Sequence, residues 1–304
     1  MKTTTIEEIP RCDYEGSRYQ SEFWNEGRSY EDLAERIALK AMIPPRGRRI
    51  VEVGAGAGRL GDLYDGYDEI YLVDYAASQL EQAHARWGHD PRYRFVQGDI
   101  YSLPFPDGYF DTVVIVRVLH HVKELALALR EVARITAPRG TYLTEFANKR
   151  HLKAMLRYLL KRGKAGENPF SLAPYEFVPL NIDFHPRYVY NTLGEAGFWV
   201  QDERAVSFFR VPLLKKLLPA KMLARVDGWL QKPLQPLRIT PSIFLRSYRP
   251  EAAGTGAEAT GRWRCPNCHH AELIDMRQAV RCDQCGSIFP YQNGIYHFRA
   301  NATE

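Results

Sequence analysis

Long apolar runs are missing from this chain of 304 residues. No window approaches the roughly 18 consecutive apolar residues that a membrane-spanning helix needs, so no segment is expected to cross a bilayer. Cysteine is scarce: of five, four fall in two Cys-x-x-Cys pairs near the C-terminal end. That usage excludes a disulfide framework and points to metal ligation in a reducing compartment. Residues 1–28 are polar, carry several acids and lack the apolar core of a secretory leader, so the expected address is cytoplasmic. The charge excess is small, +5 with a pI near 8.9, and by itself marks no anionic partner. What is present is ordinary for a globular protein, with 45% apolar and 25% charged residues. The length suits one large domain with a small appendage.

The stretch Arg49-Ile50-Val51-Glu52-Val53-Gly54-Ala55-Gly56-Ala57-Gly58-Arg59-Leu60 predicts a buried strand running into a glycine turn. Three alternate glycines strip Cβ atoms from the turn, so a ligand can lie against main-chain amides. A dinucleotide fingerprint calls for glycine or alanine where Arg59 stands, which leaves the cofactor open among nucleotide-like ligands.

Around that turn the sequence alternates strands and helices. Ser29 and Asp32 approximate a capping box for a helix that Pro44-Pro45 stops. Strands are expected at 70–73, 94–96, 110–116 and 141–146, with helices at 77–87 and 124–135, which forces a parallel sheet. Asp74 closes the second strand, where it can accept from ribose hydroxyls, and Asp99 closes the third, where it can accept from an exocyclic amine.

Val51-Glu52-Val53-Gly54-Ala55-Gly56-Ala57-Gly58, Asp74, Gly98-Asp99-Ile100, Leu103-Pro104-Phe105-Pro106-Asp107 and Phe110-Asp111 resemble class I S-adenosylmethionine-dependent methyltransferases. Leu119-His120-His121-Val122 and Leu129-Arg130-Glu131-Val132-Ala133-Arg134 extend the resemblance to the quinone-biosynthesis and small-molecule branch. It spans residues 48–147 and departs at Pro138-Arg139-Gly140, where the family usually has two glycines. The resemblance implies an α/β, Rossmann-like, seven-stranded sheet that ends in antiparallel strands. It also implies a cofactor set. Glu52 with the backbone of Gly54, Ala55, Gly56 and Gly58 takes the methionine part, and Asp74 takes the ribose with Tyr75 beside it. Asp99 and Ile100 take the adenine, and Arg117 lines the sulfonium end.

The domain is expected over residues 1–250, with an N-terminal helical cap over 1–45 and an insertion over about 148–235. In the cap, Tyr14, Tyr19, Phe23 and Trp24 either cover a neighbouring site or pack on the surface. The insertion contains two basic amphipathic stretches, His151 to Arg162 and Val211 to Leu230, the second broken by Pro219. Such helices either cover the sheet and show lysines to water or lie peripherally at an anionic membrane. Residues 251–261, rich in Gly, Ala, Thr and Glu, read as a flexible linker.

Cys265-Pro266-Asn267-Cys268 and Cys282-Asp283-Gln284-Cys285 form two knuckles that can close one four-sulfur site. With no open position the zinc ion would be structural. In the ribbon, expected over residues 262–304, the segment Cys282 to Phe298, above all Cys285-Gly286-Ser287-Ile288-Phe289-Pro290-Tyr291-Gln292-Asn293-Gly294-Ile295, resembles the small zinc-ribbon family that activates tRNA, rRNA and release-factor methyltransferases. There the ribbon is usually a separate subunit or an N-terminal fusion, whereas here it trails the enzyme. Docking on its own domain, on nucleic acid or on a protein partner all remain open. Cys12 is left over and reads as an ordinary free thiol.

Methyl transfer to oxygen or activated carbon calls for a base. The candidates are His120 and His121 after the fourth strand, and His185 with Asp183 in the insertion. Each can equally be a packing or capping residue. An Asn/Asp-Pro-Pro-aromatic run after the fourth strand, frequent where the acceptor is an amine, is absent: the place reads Arg117-Val118-Leu119-His120. The expected function is therefore O- or C-methylation of a small or lipid-like acceptor. An RNA methyltransferase that uses its ribbon to hold substrate is the second reading. A non-catalytic cofactor-binding protein is the third, and intact Glu52, Asp74 and Asp99 argue against it.

Overall fold

The computed structural model describes residues 6–17, 27–163, 166–251 and 261–299. Tyr19, Phe23, Trp24, Lys164 and nearly all of the expected linker lie outside those residues. A helix, α1 (Ser29–Met42), precedes β1 (Gly47–Val53) and β2 (Tyr67–Asp74). Then follow α2 (Ala77–Trp87), β3 (Tyr93–Gln97), β4 (Phe110–Ile115), α3 (Leu125–Ile135) and β5 (Thr136–Ala147). The insertion contains α4 (Leu152–Leu159), a small hairpin of β6 (Tyr175–Val178) and β7 (Asn181–Asp183), and α5 (Pro186–Glu195). After β8 (Trp199–Val206) come α6 (Pro212–Leu217), α7 (Ala220–Leu230) and β9 (Ser242–Tyr248).

The order β3-β2-β1-β4-β5-β9-β8 is the expected seven-stranded sheet, parallel except that β9 is reversed between β5 and β8 and pairs antiparallel with both. β4 reads as an apolar run because both faces are covered: every residue except Asp111 is buried. Among the described residues no helix is long and apolar enough to cross a membrane.

Several local expectations are corrected. Ser29 does not cap α1: Arg28 holds the cap position without a side-chain hydrogen bond. Asp32 is drawn instead to the guanidinium groups of Arg36 and Arg59. β5 starts at Thr136, not after the Pro138-Arg139-Gly140 turn, which lies inside the strand as an irregularity. Arg139 takes a left-handed φ of 62° there, and its N–H donates to Arg249 O at 2.9 Å. The helix expected to reach Arg162 stops at Leu159, where Leu160 caps it and Lys161 turns left-handed.

The ribbon is not an independent appendage. Its strands β10 (Ile274–Asp275), β11 (Ala279–Arg281), β12 (Ile288–Gln292) and β13 (Ile295–His297) extend the same sheet, with β13 parallel to the edge strand β3. Arg264 N donates to Pro104 O at 3.1 Å, and Phe298 N to Gln97 O at 2.9 Å. Trp263 is 2% exposed, stacks on Phe105 and packs against Tyr296 and Phe298, so one core serves both parts. Burying a ring of that size contributes roughly 2–3 kcal/mol. The large domain supplies apolar partners to the ribbon, with Tyr71, Phe105 and Tyr109 in the same core as Trp263, Val280 and Phe289.

Candidate functional site

The glycine turn follows from three backbone angles. Gly54, Gly56 and Gly58 have φ of 79°, 53° and 66°, the region that side chains rarely adopt. At Gly54 a Cβ would stand 2.1 Å from Val118 Cγ2, so only glycine fits. Gly54 N and Ala55 N both donate to Val73 O, which fastens the turn to β2. Gly56 N donates to Asp74 Oδ2 at 2.7 Å and Ala76 N to Oδ1 at 3.0 Å, which fixes the carboxylate that closes β2.

One cavity collects most of the expected residues: Glu52, Gly54, Ala55, Asp74, Tyr75, Asp99, Ile100, Arg117, His120 and His121. Gly56 and Gly58 shape the turn without lining the cavity. Glu52 is buried, and its Oε2 has no hydrogen-bond partner among the described residues. Burial, with the charge of Asp74 adding to it, pushes its carboxyl up to about 7 against the opposing pull of the Tyr64 hydroxyl and of Arg59. A buried acceptor without a partner beside a bare backbone suits a ligand carrying an ammonium group. Asp74 is also raised by burial, although backbone N–H groups oppose the shift.

The N-terminal segment covers the cavity, the first of the two alternatives open for Tyr14, and adds Arg11, which the sequence did not mark. Pro10, Arg11, Cys12 and Tyr14 form one wall of the cavity. Arg11 pairs with Asp99 at 2.8 Å, while Tyr101 N donates to the other carboxylate oxygen at 3.0 Å. A carboxylate offers about four acceptor positions, so room for an amine donor remains. Cys12, read as an ordinary thiol, instead lines the cavity, where burial raises its pKa.

Arg117 adopts a left-handed φ of 64°, and its N–H donates to Glu145 Oε2 at 3.1 Å. Its guanidinium pairs with Glu35 of α1, whose other oxygen receives Arg59 at 3.0 Å. Burial works against ionisation of Glu35, but Arg117 and Arg59 hold its carboxyl below the usual value. His121 Nδ1–H donates to Leu180 O at 2.6 Å, which leaves Nε2 as the acceptor of the Tyr14 hydroxyl at 2.9 Å. Burial lowers the pKa of both His121 and His120, the latter strongly, with the His121 and Arg117 charges adding at His120.

His185 and Asp183 do not join this group. The His185 ring caps α5, Nδ1 accepting from Arg187 N at 3.1 Å, and neither residue lines the cavity. The His-Pro step at 185–186 was the available signal of a helix start. Asp183 on β7 is pushed to about 6 by burial and by the charges of Glu167 and Glu145. In the ribbon, the sulfurs of Cys265, Cys268, Cys282 and Cys285 all lie within 4.8 Å of one another. Two of the separations, 3.5 and 3.6 Å, approach the edge of a tetrahedron drawn around zinc with bonds of about 2.3 Å.

A family model described as a methyltransferase domain matches residues 51–144. The ubiquinone/menaquinone biosynthesis C-methyltransferase of Pseudomonas savastanoi pv. phaseolicola is 31% identical over 183 residues, 55% of this chain and 71% of that protein. The chain belongs to the S-adenosylmethionine-dependent methyltransferases. A malonyl-[acyl-carrier protein] O-methyltransferase of Halorhodospira halophila is 34% identical over 117 residues, 37% of this methyltransferase and only 39% of that protein. Two solved structures share the fold. One is the complex between a Haloferax volcanii methyltransferase activator and a methyltransferase (TM-score 0.53, 16% identity, 77% of this chain and 94% of that one). The other is a Thermotoga maritima S-adenosylmethionine-dependent methyltransferase (TM-score 0.52, 19% identity, 76% and 97%). The methyltransferase fold, the enzyme class and dependence on S-adenosylmethionine thus agree with the sequence reading.

Proposed function

We propose that this methyltransferase methylates oxygen or activated carbon of a small, lipid-like acceptor. The observation that carries the reading is the Tyr14–His121 hydrogen bond in the wall of the donor cavity. An acceptor that must lose a proton needs a base at this place, and His121 is a neutral imidazole with its lone pair already oriented. The names of the two relatives, a quinone C-methyltransferase and an acyl-carrier O-methyltransferase, fit the same acceptor chemistry.

Glu52 would hold the amino group of the donor, Asp74 the ribose, and Asp99 with Ile100 the adenine, with Tyr75 alongside. The donor supplies a methyl group on positively charged sulfur, a good leaving group. The chain's residues do the rest. Glu35 and Glu145 fix Arg117, while His120, kept neutral by burial, adds no charge. Tyr14 relays the acceptor's proton to His121 Nε2, and the Leu180 carbonyl steadies the resulting imidazolium through Nδ1–H.

The four cysteines would hold a structural zinc ion that keeps the ribbon folded against β3. We divide the chain as the sequence suggested: residues 1–250, a connection over 251–261, and the ribbon over 262–304. Incubating the enzyme and tritiated-methyl donor with lipid extract, polar metabolites and total RNA tests the acceptor class. Label in lipid or small-molecule fractions is expected. Label confined to RNA would overturn the proposal.

A further inference from the structure

Two helices turn their leucines toward water. α4 buries only Ala154, and α6 buries no residue at all. Leu159 and Leu160 at the end of α4 are 66% and 64% exposed, and Leu213 and Leu217 on α6 are 64% and 68% exposed. A helix of a globular protein normally hides such a stripe, and a leucine-rich exposed face calls for something to cover it.

Within each of these two stretches the charge is of one sign, and the carboxylates that meet them from outside, Glu167 at Arg157 and Glu31 at Lys215 and Arg210, are buried. Residues 147–166 contain seven Lys or Arg and no acid, and residues 204–226 contain six and no acid. The whole chain carries only +5, so the rest of it is net acidic and the cations are concentrated here. Lys153, Lys161, Arg162, Lys216 and Lys221 are exposed, and none has a carboxylate partner among the described residues. The two stretches are neighbours: Arg210, just before α6, lies near enough to His151, the cap of α4, to help depress its pKa. Lys215 of α6 pairs at 2.8 Å with Glu31 of α1, one turn from the Glu35 that holds Arg117 in the cavity wall, so α6 stands beside the cavity.

We infer that α4 and α6 form a peripheral docking face for an anionic phospholipid bilayer, the leucines entering the acyl boundary and the lysines meeting the headgroups. The combination selects this partner. Nucleic acid would use the cations but gives exposed leucines no apolar medium, whereas a bilayer surface satisfies both. A lipid-borne acceptor would then reach the cavity from the membrane side. The inference does not depend on which acceptor is methylated.

The test is flotation of the full chain with vesicles of equal parts phosphatidylglycerol and phosphatidylcholine, against phosphatidylcholine alone. Co-flotation with the anionic vesicles at low salt is expected, with at least a tenfold weaker association for neutral vesicles and at high salt. The pair L159S and L217S, and separately K161E with K216E, should each weaken association tenfold or more. Melting temperature and S-adenosylhomocysteine affinity should stay unchanged in both, because these side chains are exposed and outside the donor site. No flotation with anionic vesicles overturns the inference. So does vesicle binding that survives the leucine substitutions, binding to RNA at the same strength, or a doubled solution mass showing that a second copy covers the leucines.

Discussion

Glu35 on α1 and Arg117 after β4 lie 82 positions apart in the chain, yet the fully buried carboxylate accepts at 2.9 Å from a guanidinium that reaches the cavity. The other oxygen of Glu35 takes Arg59 from the cofactor turn. One side chain therefore ties the N-terminal helix to both sides of the donor cavity. Glu35→Ala strands the largely buried Arg117 guanidinium, while Arg59 keeps Asp32, and should cost about 3 kcal/mol, measured by urea unfolding. Glu35→Gln should cost less, because the amide oxygen still accepts. A loss below 1 kcal/mol for alanine would mean that the pair has no structural role.

Glu52 gives a pH prediction with a definite sign. Its folded-state carboxyl is raised from 4.5 to about 7 by burial, so its contribution to stability is present below about 4.5 and lost as pH rises through 7. At pH above 7 the unliganded Glu52→Gln protein should be more stable than the parent by on the order of 3 kcal/mol. The gap should close in acid. S-adenosylhomocysteine affinity should fall at least tenfold in the same variant. Chemical denaturation across pH, with calorimetry for the ligand, checks both.

Tyr14→Phe and His121→Asn should lower methyl transfer roughly 100- to 10,000-fold, while donor affinity stays near the parent value. His121 is depressed by burial, so the acid limb of the rate profile should lie below the ordinary histidine value of 6.5. Nitrogen-15 NMR of the imidazole should show the proton on Nδ1, and Tyr14→Phe should shift Nε2. A proton on Nε2 would contradict the assignment.

The ribbon should stabilise the enzyme by holding β3 and the cavity wall together. Arg299 lies 3.9 Å from the ring centre of Tyr75 and pairs with Asp13 at 3.0 Å, reaching both the β2 side and the N-terminal side of the site. Metal analysis should return one zinc per chain. Chelation should lower the melting temperature and weaken donor binding, and Arg299→Ala should reproduce only the second effect, severalfold. Unchanged donor affinity in both would detach the ribbon from the site.

Local signals carried most of the sheet and the donor site into the sequence. The glycine turn, Asp74, Asp99 and the strands each depend on neighbours within a few positions, so they were legible. The Tyr14–His121 bond spans 107 positions, and no periodicity or motif encodes it. The same holds for β13 against β3, where Tyr296 pairs with Val96. For His185 the sequence left catalysis and capping open, because histidine suits both, and only the packing of α5 puts the ring at the helix cap. At Pro138-Arg139-Gly140, tertiary pairing with Arg249 held the chain in the strand despite its turn-forming residues.

The most direct measurement is a crystal structure of the enzyme with S-adenosylhomocysteine. The account predicts its amino group on Glu52, its ribose hydroxyls on Asp74, its adenine beside Asp99 and Ile100, and its sulfur facing Arg117 and the Tyr14–His121 pair. A ligand bound elsewhere, or in this cavity with its sulfur turned away from His121, would contradict it.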